Sequence, residues 1–191
     1  SPRRPEASDL PVIDPDAWAI HFEDRSPESL VRWALERWSD RLALVTSFQA
    51  TGMVLLDMAW RLDPQVRVIT LDTGRLPQET FDTMEAVRRR YGVKIEVVSP
   101  DARAVQDLVR RRGPNLFYES LEDRKACCRV RKVEPLQRAL GTVDAWITGL
   151  RRDQSPERGD TPKVAFDGSS DADPAERRVK LAPLASWTEE Q

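Results

Sequence analysis

Two adjacent cysteines, Cys127 and Cys128, lie in the segment of the chain best suited to chemistry, and the sequence contains no others. Residues 124–132 read Arg-Lys-Ala-Cys-Cys-Arg-Val-Arg-Lys, with several cations and no acid. Nearby cations favour the thiolate, which is the form that binds iron or attacks sulfur. A disulfide between neighbours closes almost no loop, and helical neighbours point ~100° apart, so two core thiols are disfavoured. The pair therefore predicts metal ligands or reactive thiols, with Lys132 one helical turn beyond Cys128.

A second basic cluster lies at residues 149–158, which read Gly-Leu-Arg-Arg-Asp-Gln-Ser-Pro-Glu-Arg after a predicted strand. Arginine side chains can bind phosphate or sulfate oxygens in pairs, because a guanidinium offers parallel N–H donors. A solvated basic loop is the alternative interpretation. We predict an anion site in this loop, from Gly149 to Arg158, formed by its three arginines Arg151, Arg152 and Arg158.

Two further loops follow predicted strands, at residues 47–52 and 72–75. The first leads into a helix, whose unpaired N–H groups attract phosphate or sulfate. The second, Asp-Thr-Gly-Arg, could hydrogen-bond a base or a ribose, although the same residues suit any turn. An ordinary strand-to-helix turn is the alternative for the first loop. The candidate ligand-binding residues of the two loops are Ser47, Phe48, Gln49, Asp72, Thr73, Gly74 and Arg75.

The elements that position these loops alternate between strand and helix, which predicts an α/β protein with a parallel sheet. Because ligands bind at the carboxyl ends of parallel strands, the three loops should share one edge. We expect a Rossmann-like open parallel sheet with helices on both faces. Residues 159–176, rich in Asp, Gly and Ser, predict a mobile loop, and Pro135 predicts a kink in the cysteine helix or its restart at 135–140. The predicted strands are 42–46, 66–71, 94–98, 144–148 and 178–182, and the predicted helices are 26–38, 53–62, 77–91 and 102–112.

Length and charge limit the remaining possibilities. A chain of 191 residues suits one domain, which we place at 16–191 after an extended arm at 1–15. A net charge of −2 gives no global basic field for nucleic acid, and no apolar run reaches membrane-spanning length. We therefore expect a cytoplasmic protein without nucleic-acid or membrane partners, and a homo-oligomer is left open. A capping box at 186–189 predicts the start of a helix.

Five segments together resemble the APS/PAPS reductase family, that is, adenylylsulfate and phosphoadenylylsulfate reductases, over about residues 40–191. They are Thr46-Ser-Phe-Gln-Ala, Leu71-Asp-Thr-Gly-Arg75, Cys127-Cys-Arg-Val-Arg-Lys-Val-Glu-Pro-Leu136, Trp146-Ile-Thr-Gly149 with Arg151-Arg-Asp-Gln-Ser155, and Val179-Lys-Leu-Ala-Pro-Leu184. In that family a double cysteine marks members with a [4Fe–4S] cluster, mostly APS reductases. The resemblance thus implies the APS type and an adenine nucleotide alpha hydrolase-like fold.

The same resemblance implies roles for the candidate residues. Cys127 and Cys128 would be cluster ligands, and Lys132 would lie between cluster and substrate. The Ser47 loop would bind phosphate and sulfate, the Asp72 loop adenosine, and Arg151 and Arg158 the anion. A cysteine thiolate would attack the sulfur of APS, AMP would leave, and thioredoxin thiols would release sulfite.

Two departures from the family pattern qualify this expectation. A [4Fe–4S] cluster needs four thiolates, whereas residues 1–191 contain two cysteines. The family's Cys-x-x-Cys and its catalytic cysteine, in Glu-Cys-Gly-Leu-His, are absent as well. We expect both beyond Gln191, so these 191 residues should bind adenine nucleotide but neither keep a stable cluster nor reduce APS. The alternatives are a PAPS reductase, a related ATP pyrophosphatase, and a non-catalytic nucleotide-binding redox or metal sensor.

Overall fold

The computed structural model of the chain describes residues 14–167 and 177–190, so residues 1–13 of the predicted arm and 168–176 of the predicted mobile loop lie outside it. Within the described residues, no helix combines the length and apolarity that crossing a bilayer requires. The helices are α1 (Pro15–Phe22), α2 (Pro27–Trp38), α3 (Ala50–Leu62), α4 (Gln78–Tyr91), α5 (Ala102–Arg112), α6 (Leu121–Cys128) and α7 (Glu134–Leu140). The strands are β1 (Leu42–Val45), β2 (Val68–Leu71), β3 (Ile95–Val98), β4 (Ala145–Thr148), β5 (Val164–Asp167) and β6 (Arg178–Leu181).

The strands form one sheet in the order β3-β2-β1-β4-β6-β5. β3, β2, β1, β4 and β6 are parallel, as the alternation of strand and helix predicts, whereas β5 pairs antiparallel with β6. The prediction of a loop over 159–176 is therefore wrong for Val164–Asp167. A short apolar run next to Gly, Asp and Ser forms a strand because Val164, 1% exposed, packs into the core.

Core residues lie on both faces of the sheet. Alternate residues of β1 point to opposite sides, so Leu42 and Leu44 belong to one apolar cluster and Ala43 to the other. The first cluster includes Leu30 of α2 and residues of α3, and the second includes Leu140 of α7. The predicted Rossmann-like architecture with helices on both faces is confirmed.

Two helices begin at a side-chain cap. Ser26 caps α2, its Oγ accepting a hydrogen bond from the Ser29 N–H at 3.3 Å, and Pro27 occupies the first turn. Asp101 caps α5 in the same way through the Ala104 N–H at 2.8 Å. The capping box predicted at 186–189 starts no helix among the described residues, where 183–186 and 189–190 are turns.

The cysteine segment is helical but not uniformly α-helical. α6 ends at Cys128, a π-helical turn covers Arg129–Val133, and α7 begins at Glu134. Pro135 lies in the first turn of α7, directly after the π-turn. The predicted kink or restart at Pro135 takes another form: the chain stays helical from Leu121 to Leu140, and a π-turn just before the proline changes the register between the cysteines and the following cations.

Candidate functional site

A cleft of about 210 Å³ opens at the carboxyl ends of β1 and β4. The strand order reverses at these two strands, because β2 pairs with one side of β1 and β4 pairs with the other side of β1. Such a switch point is the usual ligand site of an open α/β sheet. The cleft is lined by Val45, Thr46, Ser47, Gln49, Thr51, Gly52, Thr148, Gly149, Leu150, Gln154 and Arg158.

The loop between β1 and α3 is shorter than predicted, since α3 begins at Ala50 instead of Met53. Thr46 is 5% exposed and its Oγ1 accepts a hydrogen bond from the Phe48 N–H at 3.0 Å. Phe48 has a positive φ of 59° and its ring enters the core. The exposed Ser47 and Gln49 line the cleft beside the first turn of α3, whereas Phe48 supports the loop from below.

Two glycines allow α3 and β4 to approach each other closely. A Cβ atom on Gly149 would lie 2.8 Å from Thr51 Oγ1 and 3.3 Å from Gly52 N. A Cβ atom on Gly52 would overlap Thr46 Oγ1. The end of β4 therefore lies against the first-turn N–H groups of α3, which have no partner within their own helix.

The predicted anion loop directs one of its three arginines to the cleft. Gln154 Oε1 accepts hydrogen bonds from the Arg151 N–H, at 3.3 Å, and from Arg158 Nη1. Arg158 lines the cleft, but Arg151 does not. Arg151 Nε lies 3.0 Å from Asp153 Oδ1, close enough for an ion pair although the geometry is not that of a hydrogen bond. Arg152 bonds to Glu23.

The loop at 72–75 forms a tight turn after β2 and does not line the cleft. Asp72 Oδ1 accepts the Gly74 N–H at 2.8 Å, Thr73 is 7% exposed, and Gly74 has a φ of 69°. Arg75 turns away to the segment before α6, where Nη1 donates to the Pro114 carbonyl at 2.6 Å. Its guanidinium also lies 4.4 Å from the centre of the Phe117 ring.

Arg131, which sequence reasoning did not select, connects the cysteine segment to this loop. It is 8% exposed, and its Nη1 donates to the Thr73 carbonyl oxygen at 2.7 Å. The same nitrogen lies 3.2 Å from where a Gly74 Cβ would be, so only glycine fits there without a shift. A sequence signal existed, because Cys127 and Arg131 are four residues apart and would share a helical face.

The two thiols have different environments. Cys127 is buried and Cys128 is exposed, and both are free. Lys132, one residue past Arg131, is exposed. Within the described ranges, no group of three or more His, Cys, Asp or Glu side chains is arranged to hold a metal ion.

Two groups beside the anion loop, Glu23 and Lys163, have shifted pKa values. The Arg152 guanidinium, hydrogen-bonded to Glu23, lowers the pKa of that carboxyl. Burial lowers the pKa of Lys163, which is 2% exposed. These groups form a support behind the loop that carries Arg158.

Two solved structures have a fold similar to that of this chain. A phosphoadenylyl-sulfate (PAPS) reductase from Candida auris, in a phosphate complex, aligns with a TM-score of 0.72 and 25% identity over 100% of this chain and 85% of that one. An FMN adenylyltransferase from Candida glabrata aligns with a TM-score of 0.56 and 12% identity over 94% of this chain and 55% of that one. The second likeness shows the fold alone.

Curated relatives extend the similarity to the sequence. An adenosine 5′-phosphosulfate reductase of Pseudomonas aeruginosa is 41% identical over 96% of this chain, and one from Allochromatium vinosum is 43% identical over 80%. A chloroplastic 5′-adenylylsulfate reductase of Arabidopsis thaliana is 41% identical over 85%. The chain spans only 66%, 57% and 34% of these relatives, respectively. Because the model of the phosphoadenosine phosphosulfate reductase domain also matches residues 41–191, the chain belongs to that family.

Proposed function

We propose that this chain is the nucleotide-binding part of a thioredoxin-dependent adenylylsulfate reductase. The observation that carries the proposal is the link from Arg131 to the Thr73 carbonyl, since it joins the double-cysteine segment to a loop beside the nucleotide cleft. A plain nucleotide-binding domain would need no such connection. The names of the three curated relatives point the same way.

The cleft suits the anionic part of a sulfonucleotide. First-turn N–H groups of α3 and the Arg158 guanidinium converge on it, and both attract phosphate and sulfate oxygens. Ser47 and Gln49 add side-chain donors at the rim. Adenosine would then extend along the edge of the sheet toward Thr73 and Gly74.

The reaction would proceed in two balanced steps. A thiolate attacks the sulfur, the bond between sulfur and the phosphate oxygen breaks, and its electron pair leaves with AMP. One thioredoxin thiolate then attacks the enzyme sulfur of the resulting thiosulfonate and displaces sulfite, and the second thioredoxin thiol resolves the mixed disulfide, which leaves oxidised thioredoxin and the free enzyme thiol. In this scheme Arg158 and the start of α3 bind the leaving AMP phosphate and neutralise its growing charge.

Cys127 and Cys128 would provide two of the four thiolates of a [4Fe–4S] cluster. The surroundings suit an anionic group, because Arg131 is buried and its Nε makes no hydrogen bond within the described part of the chain. A buried guanidinium with so little compensation is stabilised by a nearby negative charge. When bound, the cluster would supply such a charge beside the nucleotide loop.

Binding measurements test the proposal. Isothermal titration under anaerobic conditions should show APS binding more tightly than PAPS, because Arg158 is the one basic side chain among the described residues that line the cleft, which leaves no second cation there for a 3′-phosphate. Arg158→Ala should weaken AMP about tenfold, the cost of a charged hydrogen bond that is partly open to solvent. Arg110→Ala is the matched control, since Arg110 is exposed on α5 and, in the described part of the chain, pairs with Asp107 of the same helix.

Two results would contradict the proposal. An equal effect of Arg158→Ala and Arg110→Ala would remove the cleft as the nucleotide site. Tighter binding of PAPS than of APS would favour a second candidate, a PAPS reductase, which the likeness to the Candida auris structure supports.

A further inference from the structure

We propose that Glu23 and Lys163, through Arg152, are positioning residues that hold the anion loop and so set the affinity for the nucleotide phosphate. This inference rests on the proposed nucleotide cleft. Glu23 follows α1, which lies before residues 41–191 matched by the family model, so it adds a support from outside the family domain.

Lys163 fixes the end of α1. Its Nζ donates to the carbonyl oxygens of Phe22, Glu23 and Arg25 at 3.1, 2.7 and 3.2 Å. An ammonium at a helix C-terminus satisfies free carbonyls and faces the negative end of the helix dipole. Since Lys163 is 2% exposed and directly precedes β5, this contact ties α1 to the edge of the sheet.

Glu23 in turn holds Arg152. Its carboxylate accepts two hydrogen bonds from the guanidinium, at 2.5 and 2.9 Å, in the paired geometry that restricts both side chains. Arg152 Nε also donates to the Thr161 carbonyl at 2.8 Å, and the Arg152 N–H donates to the Ala185 carbonyl at 3.0 Å. The residue is therefore fixed from three directions.

The fixed residue begins the turn that presents Arg158. A 3-10 turn covers Arg152–Gln154, and Gln154 Oε1 accepts the hydrogen bond from Arg158 Nη1. Both Gln154 and Arg158 line the cleft. Releasing Arg152 would therefore free the turn and let Arg158 leave the phosphate position.

The test compares two changes of a carboxylate to an amide. Glu23→Gln breaks the paired contact with Arg152. Asp144→Asn breaks a similar paired contact, to Arg41 at 2.6 and 3.0 Å, at the end of the sheet opposite the cleft. Asp144 and Arg41 directly precede β4 and β1, so their pair lies at the amino ends of the strands that form the cleft. Because the Glu23 side chain is 40% exposed, the amide variant should fold.

The ligands are AMP and adenosine, measured by isothermal titration, with thermal unfolding recorded for both variants. Glu23→Gln should raise the Kd of AMP about fivefold or more and leave the Kd of adenosine within about twofold. Asp144→Asn should leave both within about twofold while lowering Tm to a similar degree. In an Arg158→Ala background, the effect of Glu23→Gln on AMP should disappear.

The inference is overturned if the two variants weaken AMP equally, if adenosine is weakened as much as AMP, or if the loss persists without Arg158. If the wild-type chain binds no AMP, the proposed function is wrong, and the role of Glu23 must be tested without a ligand. Hydrogen exchange then tests by itself whether Glu23 holds the anion loop. The backbone amide of Arg158, which donates to the Ser155 carbonyl, should exchange faster in Glu23→Gln than in Asp144→Asn. Equal exchange in the two variants would reject it.

Discussion

Replacing Gly52 with alanine should disturb both the stability of the fold and the cleft. Gly52 lies in the first turn of α3, and an added Cβ would overlap Thr46 Oγ1 and lie 3.3 Å from Thr46 Cβ. Thr46 cannot move freely, because it is 5% exposed and its Oγ1 accepts the Phe48 N–H. That hydrogen bond helps to hold Phe48 at its positive φ of 59°.

Three contributions set the size of the effect. Overpacking a buried site costs about 1–3 kcal/mol, and losing the Thr46 hydrogen bond costs about 0.5–1.5 kcal/mol. Alanine returns about 1 kcal/mol relative to glycine within a helix. We expect a net loss of about 2 kcal/mol in the free energy of unfolding, which for a domain of this size lowers Tm by about 4–8 °C. The affinity for AMP should fall too, since the loop with Ser47 and Gln49 shifts.

Urea and thermal unfolding measure the effect, with Gly159→Ala as the control. Gly159 has α-helical φ and ψ of −51° and −35°, and its added Cβ would lie 3.4 Å from the Pro156 carbonyl, an ordinary contact. That variant should be close to neutral. The double variant with Thr46→Ala should be less destabilised than the two single changes together, because the overlap is gone. The reasoning is refuted if Gly52→Ala is as stable as Gly159→Ala, or if the two changes are simply additive.

Three further predictions concern other parts of the chain. Ser39→Gly should raise the free energy of unfolding by about 1 kcal/mol in urea titrations, because φ 48° and ψ −117° suit only glycine; an unchanged or lower value would argue against strain there. Lys132→Ala should weaken APS more than AMP in titrations, as expected for an exposed ammonium near Cys128, and equal losses would make it an ordinary surface charge. The hydrogen bond from Arg67 lowers the pKa of the Glu96 carboxyl below 4.5. The stabilisation of the fold by ionised Glu96 should therefore be present above pH 4.5 and decline as pH falls below that value. Urea unfolding at pH 7 and pH 3 should therefore show a smaller acid-induced loss for Glu96→Gln than for the wild type, and equal losses would contradict the assignment.

The parts of the fold that the sequence predicts well are those with a strong local signal. α2 begins at a serine cap followed by proline, and α5 matches its predicted bounds. β5 was missed because four residues at an edge carry little periodicity and gain their stability from pairing with β6. The sequence predicts the start of α3 too late because the positive φ at Phe48 turns the chain quickly into the helix. A bulky residue such as phenylalanine gives no sign of a positive φ in the sequence.

The candidate site was predictable at the level of loops and not of side chains. Alternation of strands and helices placed the loops at one edge, which the strand order confirms. The alternation does not show which arginine points into the cleft, because a guanidinium is satisfied as well by acceptors elsewhere in the protein as by a bound anion. Arg75 binds the Pro114 carbonyl and Arg152 binds Glu23, whereas Arg158 remains at the cleft. Those choices depend on distant segments that local sequence does not specify.

The basic segment around the cysteines shows that the sequence does not specify which cations act on the thiols. A row of cations suggests a uniform positive field on both thiols, but the π-turn distributes them differently. Arg129 lies 3.7 Å from Glu134 on the surface, while Arg131 is buried and donates to the Thr73 carbonyl. A cation neutralised at the surface contributes little to a site beneath it, because solvent and its partner screen the charge. The buried Arg131 is screened least, so it, and not the number of basic residues, should dominate the field between the cysteine segment and the nucleotide loop.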